Sequence, residues 1–88
     1  MNTSAVLAYV KAVLGITGTY HDTLLTNYIN EVATYMVAAG VSTTTMSTEL
    51  VYGCIARGVA DIWQYGAGQG TLSQYFRERV IQLARTKV

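Results

Sequence analysis

The sequence of 88 residues contains one cysteine, one histidine and no proline. A single cysteine excludes an intrachain disulfide, and one cysteine with one histidine cannot form a standard structural zinc site. A chain of this length buries only about 60–65% of its unfolded surface, so its core is marginal. With disulfides and zinc excluded, oligomerisation is the remaining source of stability. We therefore expect one domain over residues 1–88 that holds no metal and no cofactor and assembles with other chains.

Charged residues are scarce, at 12% of the chain against a usual share of about 25%. The hydrophobic share of 51% excludes a disordered tail, which needs low hydrophobicity and high charge. The longest uncharged run, from Val32 to Thr48, is interrupted by Gly40 and a threonine cluster, and it is too polar to span a membrane. The first residues show no basic region and no Ala-x-Ala cleavage site, so we expect no signal peptide and a cytosolic protein.

The charges are unevenly distributed although the net charge is only +1. Residues 1–71 hold two basic and four acidic side chains, a balance of −2, whereas residues 72–88 hold four basic and one acidic, a balance of +3. A net charge near zero provides no general electrostatic attraction to nucleic acid. The basic side chains of the last segment are Arg77, Arg79, Arg85 and Lys87.

Four segments show the three- and four-residue spacing of apolar side chains that is typical of amphipathic helices. The first helix is predicted to start at a polar cap in residues 2–4 and to stop at Gly15. The second lies between Asp22, its predicted N-cap, and Gly40, which suits the position after a helix because glycine adopts positive φ easily.

A central helix over roughly residues 48–65 and a last helix over 72–86 follow, with residues 41–46 between helices two and three predicted as a loop. Ser73 or Thr71 is the predicted cap of the last helix. The side chains that this helix is predicted to turn inward are Tyr75, Phe76, Val80, Ile81 and Leu83. The sequence thus predicts an all-α fold, a small bundle of about four helices around the central helix.

The central helix has two unlike faces. One face is broadly apolar and belongs to the core, while the other consists mainly of Gly53, Ala56 and Ala60. A helix that is apolar on one side and nearly smooth on the other usually packs on both sides. We therefore predict that the smooth face contacts a neighbouring copy. Arg57 and Asp61, four residues apart, form either an exposed ion pair or a pair that sets the register of that contact.

Signals for catalysis are weak. His21 is followed by Asp22, but adjacent residues at a helix start point in different directions. Cys54 lies on the apolar face without a basic neighbour in its helix, which indicates an inert thiol. The glycines of residues 66–70 lack the lysine of a phosphate-binding loop. We predict a protein without catalytic residues.

The basic last helix leaves an alternative open. The chain would then be a small helical DNA-binding regulator whose last helix contacts phosphates through its four cations. An ordinary solvated helix face accounts for the same residues and is favoured, because no array of Asn or Gln accompanies them. A small bundle that binds a host protein is a third, weaker possibility.

The order of these patterns resembles a known family. The positions of the second helix that carry the resemblance are Asp22, Leu24, Leu25, Tyr28, Ile29, Ala33, Tyr35 and Met36. A glycine and a polar loop follow, then an apolar helix that ends in residues 62–65 and a loop of small residues. The last helix contributes Leu72, Ser73, Phe76, Arg79, Val80 and Leu83. This pattern, which extends over nearly the whole chain, is similar to that of the head–tail connector (adaptor) proteins of tailed bacteriophages.

The resemblance implies a structural role in the virion rather than an enzymatic one. Connectors of this family form a ring of about a dozen copies below the portal protein, where they prolong the DNA channel and dock the next neck or tail-completion protein. DNA would pass through the ring without sequence-specific binding, and assembly would take place in the host cytoplasm. The residues expected at subunit or partner interfaces are Gly53, Ala56, Arg57, Ala60, Asp61, Arg77, Arg79, Arg85 and Lys87.

Overall fold

A computed structural model describes residues 2–65 and 73–85 of the chain. Within these ranges the chain is all-α, as predicted, and contains no strand. The helices are α1 (Thr3–Leu14), α2 (Asp22–Ala38), α3 (Thr43–Met46), α4 (Tyr52–Tyr65) and α5 (Gln74–Ala84), with a 3₁₀ turn at Glu49–Val51 before α4. No helix in the described ranges is long and apolar enough to cross a membrane.

Local capping explains where α1 begins and ends. The side-chain oxygen of Asn2 accepts a hydrogen bond from the backbone N–H of Ala5 at 3.1 Å, which satisfies one of the free donors of the first turn. Gly15 ends the helix with a φ of 72°, a conformation that glycine adopts without steric cost. Both ends agree with the sequence prediction.

The junction between α1 and α2 is closed by an ion pair. The Nζ atom of Lys11 lies 2.8 Å from Oδ1 of Asp22 and donates a second hydrogen bond to the carbonyl of Gly18. Asp22 is the first residue of α2 and His21 occupies the N-cap position, so the prediction that Asp22 is the N-cap was wrong by one residue. Its carboxylate contacts Lys11 instead of capping the backbone.

The end of α2 is a hydrogen-bonded glycine cap. Gly40 has a φ of 108°, and its N–H donates to the carbonyl of Val37 at 3.0 Å. The next residue, Val41, is buried and donates to the carbonyl of Met36 at 3.0 Å. This pair of bonds is the Schellman pattern, and it confirms Gly40 as the residue that ends the helix.

The segment after Gly40 departs from the prediction of a loop, because residues 43–46 form the short helix α3. The Oγ of Ser42 accepts from the N–H of Thr45 at 3.1 Å, and the hydroxyl of Thr48 donates to the carbonyl of Thr45 at 2.7 Å. These hydroxyls satisfy the backbone of a single turn locally. As a result α4 begins at Tyr52, later than the predicted residue 48.

The core surrounds α4, which packs against α1, α2 and α5. Gly58 lies at the closest approach, because a Cβ added there would be 2.7 Å from Cε1 of Phe76 and 2.9 Å from Cγ1 of Val32. The core side chains are Val6, Val10, Leu25, Ile29, Val32, Met36, Val41, Met46, Val51, Cys54, Ile55, Ala56, Val59, Phe76, Val80 and Leu83. The prediction of a central helix with its apolar face in the core is confirmed.

Two residues of α5 were predicted inward and lie outward. Tyr75 is 65% exposed and Ile81 is 52% exposed. The buried stripe of α5 consists of Phe76, Val80 and Leu83, whose four- and three-residue spacing places them on one face. Tyr75 precedes that stripe by one residue and is rotated about 100° away from it.

Candidate assembly surface

The outward face of α4 forms the floor of an open groove of about 510 Å³. The groove is flanked by larger side chains of two other helices, α1 and α5. Its lining residues are Tyr9, Val13, Gly53, Ala56, Arg57, Ala60 and Tyr75. Because the floor is made of small residues and the sides are aromatic or branched, the surface is concave and largely apolar. We call it the α4 groove.

The α4 groove faces away from the contact between α4 and α2. Gly58 faces Val32 of α2, and Ala60, two residues further along, is rotated from it by about 200°. The groove and the contact with α2 therefore occupy opposite sides of the same helix. This arrangement agrees with the two unlike faces that the sequence of the central helix predicts.

The three small residues differ in exposure. Gly53 is exposed and Ala60 is half-buried, but Ala56 is only 2% exposed. The prediction of one open, smooth face therefore needs correction at Ala56. α1 packs along this side of α4. The Tyr9 hydroxyl lies 3.7 Å from where a Cβ on Gly53 would be, and the centres of the Tyr9 and Tyr52 rings are 5.9 Å apart.

Arg57 is the charged residue of the groove. Its guanidinium carbon lies 5.7 Å from the centre of the Tyr75 ring, a cation–π geometry. Its Nε lies 3.8 Å from Oδ1 of Asp61, and the Arg57 side chain is 52% exposed. A guanidinium carries five N–H donors, so the groove retains donors for a further acceptor.

Asp61 is buried rather than exposed, with 6% of its surface accessible. Its Oδ2 accepts a hydrogen bond from the backbone N–H of Ser73 at 2.9 Å. The alternative of an exposed ion pair is therefore corrected: the i,i+4 contact with Arg57 is present, but the Asp61 carboxylate is covered because the start of α5 lies on it.

The cations of the last helix are spread out. Arg77 and Arg85 are exposed, and they lie eight residues apart, Arg77 within α5 and Arg85 at its C-cap. Arg79 is half-buried, and its Nη1 donates to Oε1 of Gln82 at 2.9 Å. Lys87 lies outside the described residues. The described part of the predicted basic surface thus consists of two exposed arginines and one half-buried arginine that is hydrogen-bonded within the helix.

The residues considered for chemistry occupy structural positions. Burial raises the pKa of the Cys54 thiol to about 11, and the charge of Arg79 opposes this shift only in part, so the thiol is protonated at neutral pH. The ring of His21 packs edge-on against Tyr20 at 4.8 Å and Trp63 at 5.1 Å. The ranges 2–65 and 73–85 contain no group of three or more His, Cys, Asp or Glu side chains placed to hold a metal ion.

Sequence reasoning identified the floor of the α4 groove but missed its sides. Gly53, Ala56, Arg57 and Ala60 share one helix, so their common face follows from helical spacing alone. Tyr9 and Val13 belong to α1 and Tyr75 to α5, and their position beside α4 depends on how the helices pack. No local signal in the sequence distinguishes them from ordinary amphipathic residues.

Comparison with known proteins assigns the chain to a family. Searches among curated proteins and among solved structures returned no significant match. The family model described as phage gp6-like head-tail connector protein matches residues 4–87. The match extends from the first turn of α1 past the end of α5, and it includes every lining residue of the α4 groove. The chain therefore belongs to the family of phage gp6-like head-tail connector proteins.

Proposed function

We propose that this chain is the repeating subunit of a ring that sits below the portal protein, prolongs the DNA channel and docks the next neck or tail-completion protein. Membership of the connector family makes it a structural component of the phage particle that assembles with other head and tail proteins. Ring formation, portal docking and assembly in the host cytoplasm are the parts that we add. The observation that carries the proposal is the α4 groove.

The groove has the properties of a surface that becomes buried on assembly. Tyr75 is 65% exposed, and Tyr9 and Val13 are about half exposed. Tyrosine combines a large apolar ring with a polar hydroxyl and is enriched at protein interfaces. The charged residue of the groove, Arg57, is of the type most often found among the energetically dominant residues of interfaces.

Charge and symmetry also support a ring. A closed ring of identical subunits requires two different surfaces that recognise each other. Each subunit then presents one of these surfaces to the neighbour on one side and the other surface to the neighbour on the other side. The −2 balance of residues 1–71 and the +3 balance of residues 72–88 supply unlike surfaces on one chain. The net charge of +1 suits a conduit that DNA must pass through without being held.

The proposal is tested by filling the groove. Ala60 is half-buried in the floor, so Ala60→Trp occupies the space that a partner needs. Ala60 is a better position than Ala56, where burial makes a tryptophan disruptive to the fold itself. Ala8→Trp, at an exposed position outside the groove, is the matched control. Circular dichroism checks whether both variants are folded.

Assembly is measured by sedimentation velocity and negative-stain imaging, with and without purified portal protein. We expect rings from the parent chain and from Ala8→Trp, and loss of rings from Ala60→Trp. The measurement with portal protein is included because some connectors remain monomeric until they dock. A parent chain that stays monomeric and also fails to join the portal contradicts the proposed function. Rings that form normally from Ala60→Trp place the subunit contact elsewhere.

A further inference from the structure

α2 carries a ridge of exposed side chains, one of which, Tyr35, also contacts the Phe76 ring of α5 at a centroid-to-centroid distance of 5.7 Å. Leu24, Asn27, Glu31 and Tyr35 are all exposed and follow one another at intervals of three and four residues, which makes them neighbours on the helix surface. The ridge spans twelve residues, from Leu24 to Tyr35, or about 16 Å along the helix axis. It combines two large apolar side chains with one carboxylate, and we call it the α2 ridge.

The charge of the α2 ridge complements that of the α4 groove. Asp22 pairs with Lys11, Asp61 bonds Ser73 and contacts Arg57, and Glu78 accepts from Gln74. The carboxylate of Glu31, by contrast, has no hydrogen bond or ion pair with any part of the chain that the structure describes. An exposed carboxylate between apolar side chains is suited to meet an exposed guanidinium between apolar side chains.

The shapes are complementary as well. Gly53 and Ala60 leave the floor of the groove without bulky side chains on either side of Arg57. Small residues allow a second helix to approach closely, and helices pack with their axes about 8–10 Å apart when the ridge of one enters the groove of the other. The spacing along the two helices also matches. Asn27 precedes Glu31 by four positions, and Gly53 precedes Arg57 by four positions.

We propose that the α2 ridge of one copy of this chain lies in the α4 groove of the next copy, with Glu31 paired to Arg57. This inference rests on the proposed connector function and specifies its subunit contact. The ridge and the groove share no residue, so a contact made once between neighbours is heterologous, and it leaves a free ridge at one end of the assembly and a free groove at the other. Such a contact repeats head to tail and closes when the rotation between copies allows it.

Glu49 is the other described acidic side chain without a partner. It lies in the 3₁₀ turn Glu49–Val51, next to the half-exposed Leu50. A turn of three residues forms no ridge long enough to fill the groove between Gly53 and Ala60. Glu49 is therefore the matched control for Glu31, since the same substitution changes the net charge equally at either position.

Cysteine cross-linking of the full chain tests the contact directly. Asn27→Cys is combined with Gly53→Cys or with Ala60→Cys, because the two helices can meet in parallel or antiparallel orientation. Native Cys54 is 3% exposed and adds little background. One of the two pairs should give a ladder of covalent multimers after mild oxidation. We expect at least about tenfold more product than from Glu49→Cys with Ala60→Cys, because a disulfide needs Cα atoms within about 7 Å.

Charge exchange provides a second, independent readout. Glu31→Arg should weaken assembly by about tenfold or more, because it places like charges together at the contact, and the double variant Glu31→Arg with Arg57→Glu should recover most of it. Glu49→Arg should assemble like the parent chain. Circular dichroism of each variant separates loss of contact from loss of fold, since Arg57→Glu also faces Asp61.

The outcomes distinguish this contact from the connector function. Cross-linking that stops at dimers indicates a symmetric contact and overturns the inference. Rings seen by sedimentation without a ladder from either cysteine pair overturn the inference and leave the connector function intact. Rings that survive Ala60→Trp but lose portal binding assign the groove to the portal and likewise overturn it. Absence of assembly with and without portal overturns both proposals.

Discussion

Asp61 and Ser73 are joined by a hydrogen bond of 2.9 Å from the backbone N–H of Ser73 to Oδ2 of Asp61. Ser73 is also the N-cap of α5, and its own hydroxyl oxygen accepts from the N–H of Phe76 at 3.2 Å. A carboxylate at this position interacts favourably with the positive end of the helix dipole. The bond thereby positions α5, and with it the Tyr75 side of the α4 groove, relative to α4.

Removing this carboxylate should destabilise the protein. Asp61→Ala leaves the Ser73 N–H without its acceptor, and we expect the free energy of unfolding to fall by about 1–3 kcal/mol. Urea denaturation followed by circular dichroism measures the change. Asp61→Asn retains an acceptor oxygen and should lose less. Glu78→Ala removes an exposed carboxylate from α5 and should change the free energy of unfolding by no more than about 0.5 kcal/mol. An equal loss of stability in Asp61→Ala and Glu78→Ala would contradict the role assigned to Asp61.

Gly58→Ala should also destabilise the protein, because the new methyl group would lie 2.7 Å from Cε1 of Phe76 and 2.9 Å from Cγ1 of Val32. Overpacking of this kind costs about 1–3 kcal/mol, which exceeds the gain of about 1 kcal/mol in helix propensity. The melting temperature and the urea midpoint should both fall. Unchanged or increased stability would mean that α2 and α5 move apart at little cost.

Gly53→Ala is the matched control within the same helix. A Cβ at position 53 meets only the Tyr9 hydroxyl, at an ordinary 3.7 Å, so the propensity gain of about 0.5–1 kcal/mol should appear in full. The same denaturation experiment should therefore show opposite signs for the two glycines. Destabilisation by Gly53→Ala would indicate that Tyr9 packs more tightly on α4 than the structure shows.

The thiol of Cys54 should make stability depend on pH in the alkaline range. Its pKa rises from an ordinary 9.0 to about 11 in the folded protein because it is buried. Between these values the unfolded chain has released the thiol proton and the folded chain has not, so unfolding is favoured as pH rises. The contribution is complete below pH 9.0 and is lost as pH rises through about 11.

The measurement compares urea denaturation of the parent chain with Cys54→Ala at several values from pH 8 to 11. All other ionisable side chains are common to both proteins, so the difference in unfolding free energy isolates the thiol. We expect the parent chain's advantage to shrink as pH increases. An advantage that stays constant over this range would show that the folded thiol ionises like an exposed one.

Binding to duplex DNA should be weak and should depend only slightly on salt. Of the cations in the described part of the last helix, Arg77 and Arg85 are exposed, and two phosphate contacts give a slope of about −1.8 in log affinity against log salt. Fluorescence anisotropy with a labelled duplex measures it. A slope several times steeper that is abolished by Arg77→Ala with Arg79→Ala would instead favour the DNA-binding regulator.

Helix content and several helix ends followed from the sequence because the responsible interactions are local. Asn2, Gly15, Gly40 and Ser73 act on backbone groups within four residues of themselves, so composition and spacing were sufficient to identify them. The prediction failed at residues 41–46, where hydroxyl side chains complete a helical turn that has no apolar periodicity to reveal it.

The amino-acid sequence by itself determined an all-α chain, a two-faced central helix and a pattern typical of phage connectors. Only the tertiary structure decided which residues form the α4 groove. It placed Tyr9 and Tyr75 beside α4, buried Ala56, and turned Asp61 from a surface charge into an acceptor for Ser73. The physical reason is that helical periodicity specifies the direction of a side chain relative to its own helix axis, whereas burial depends on which other helix lies in that direction.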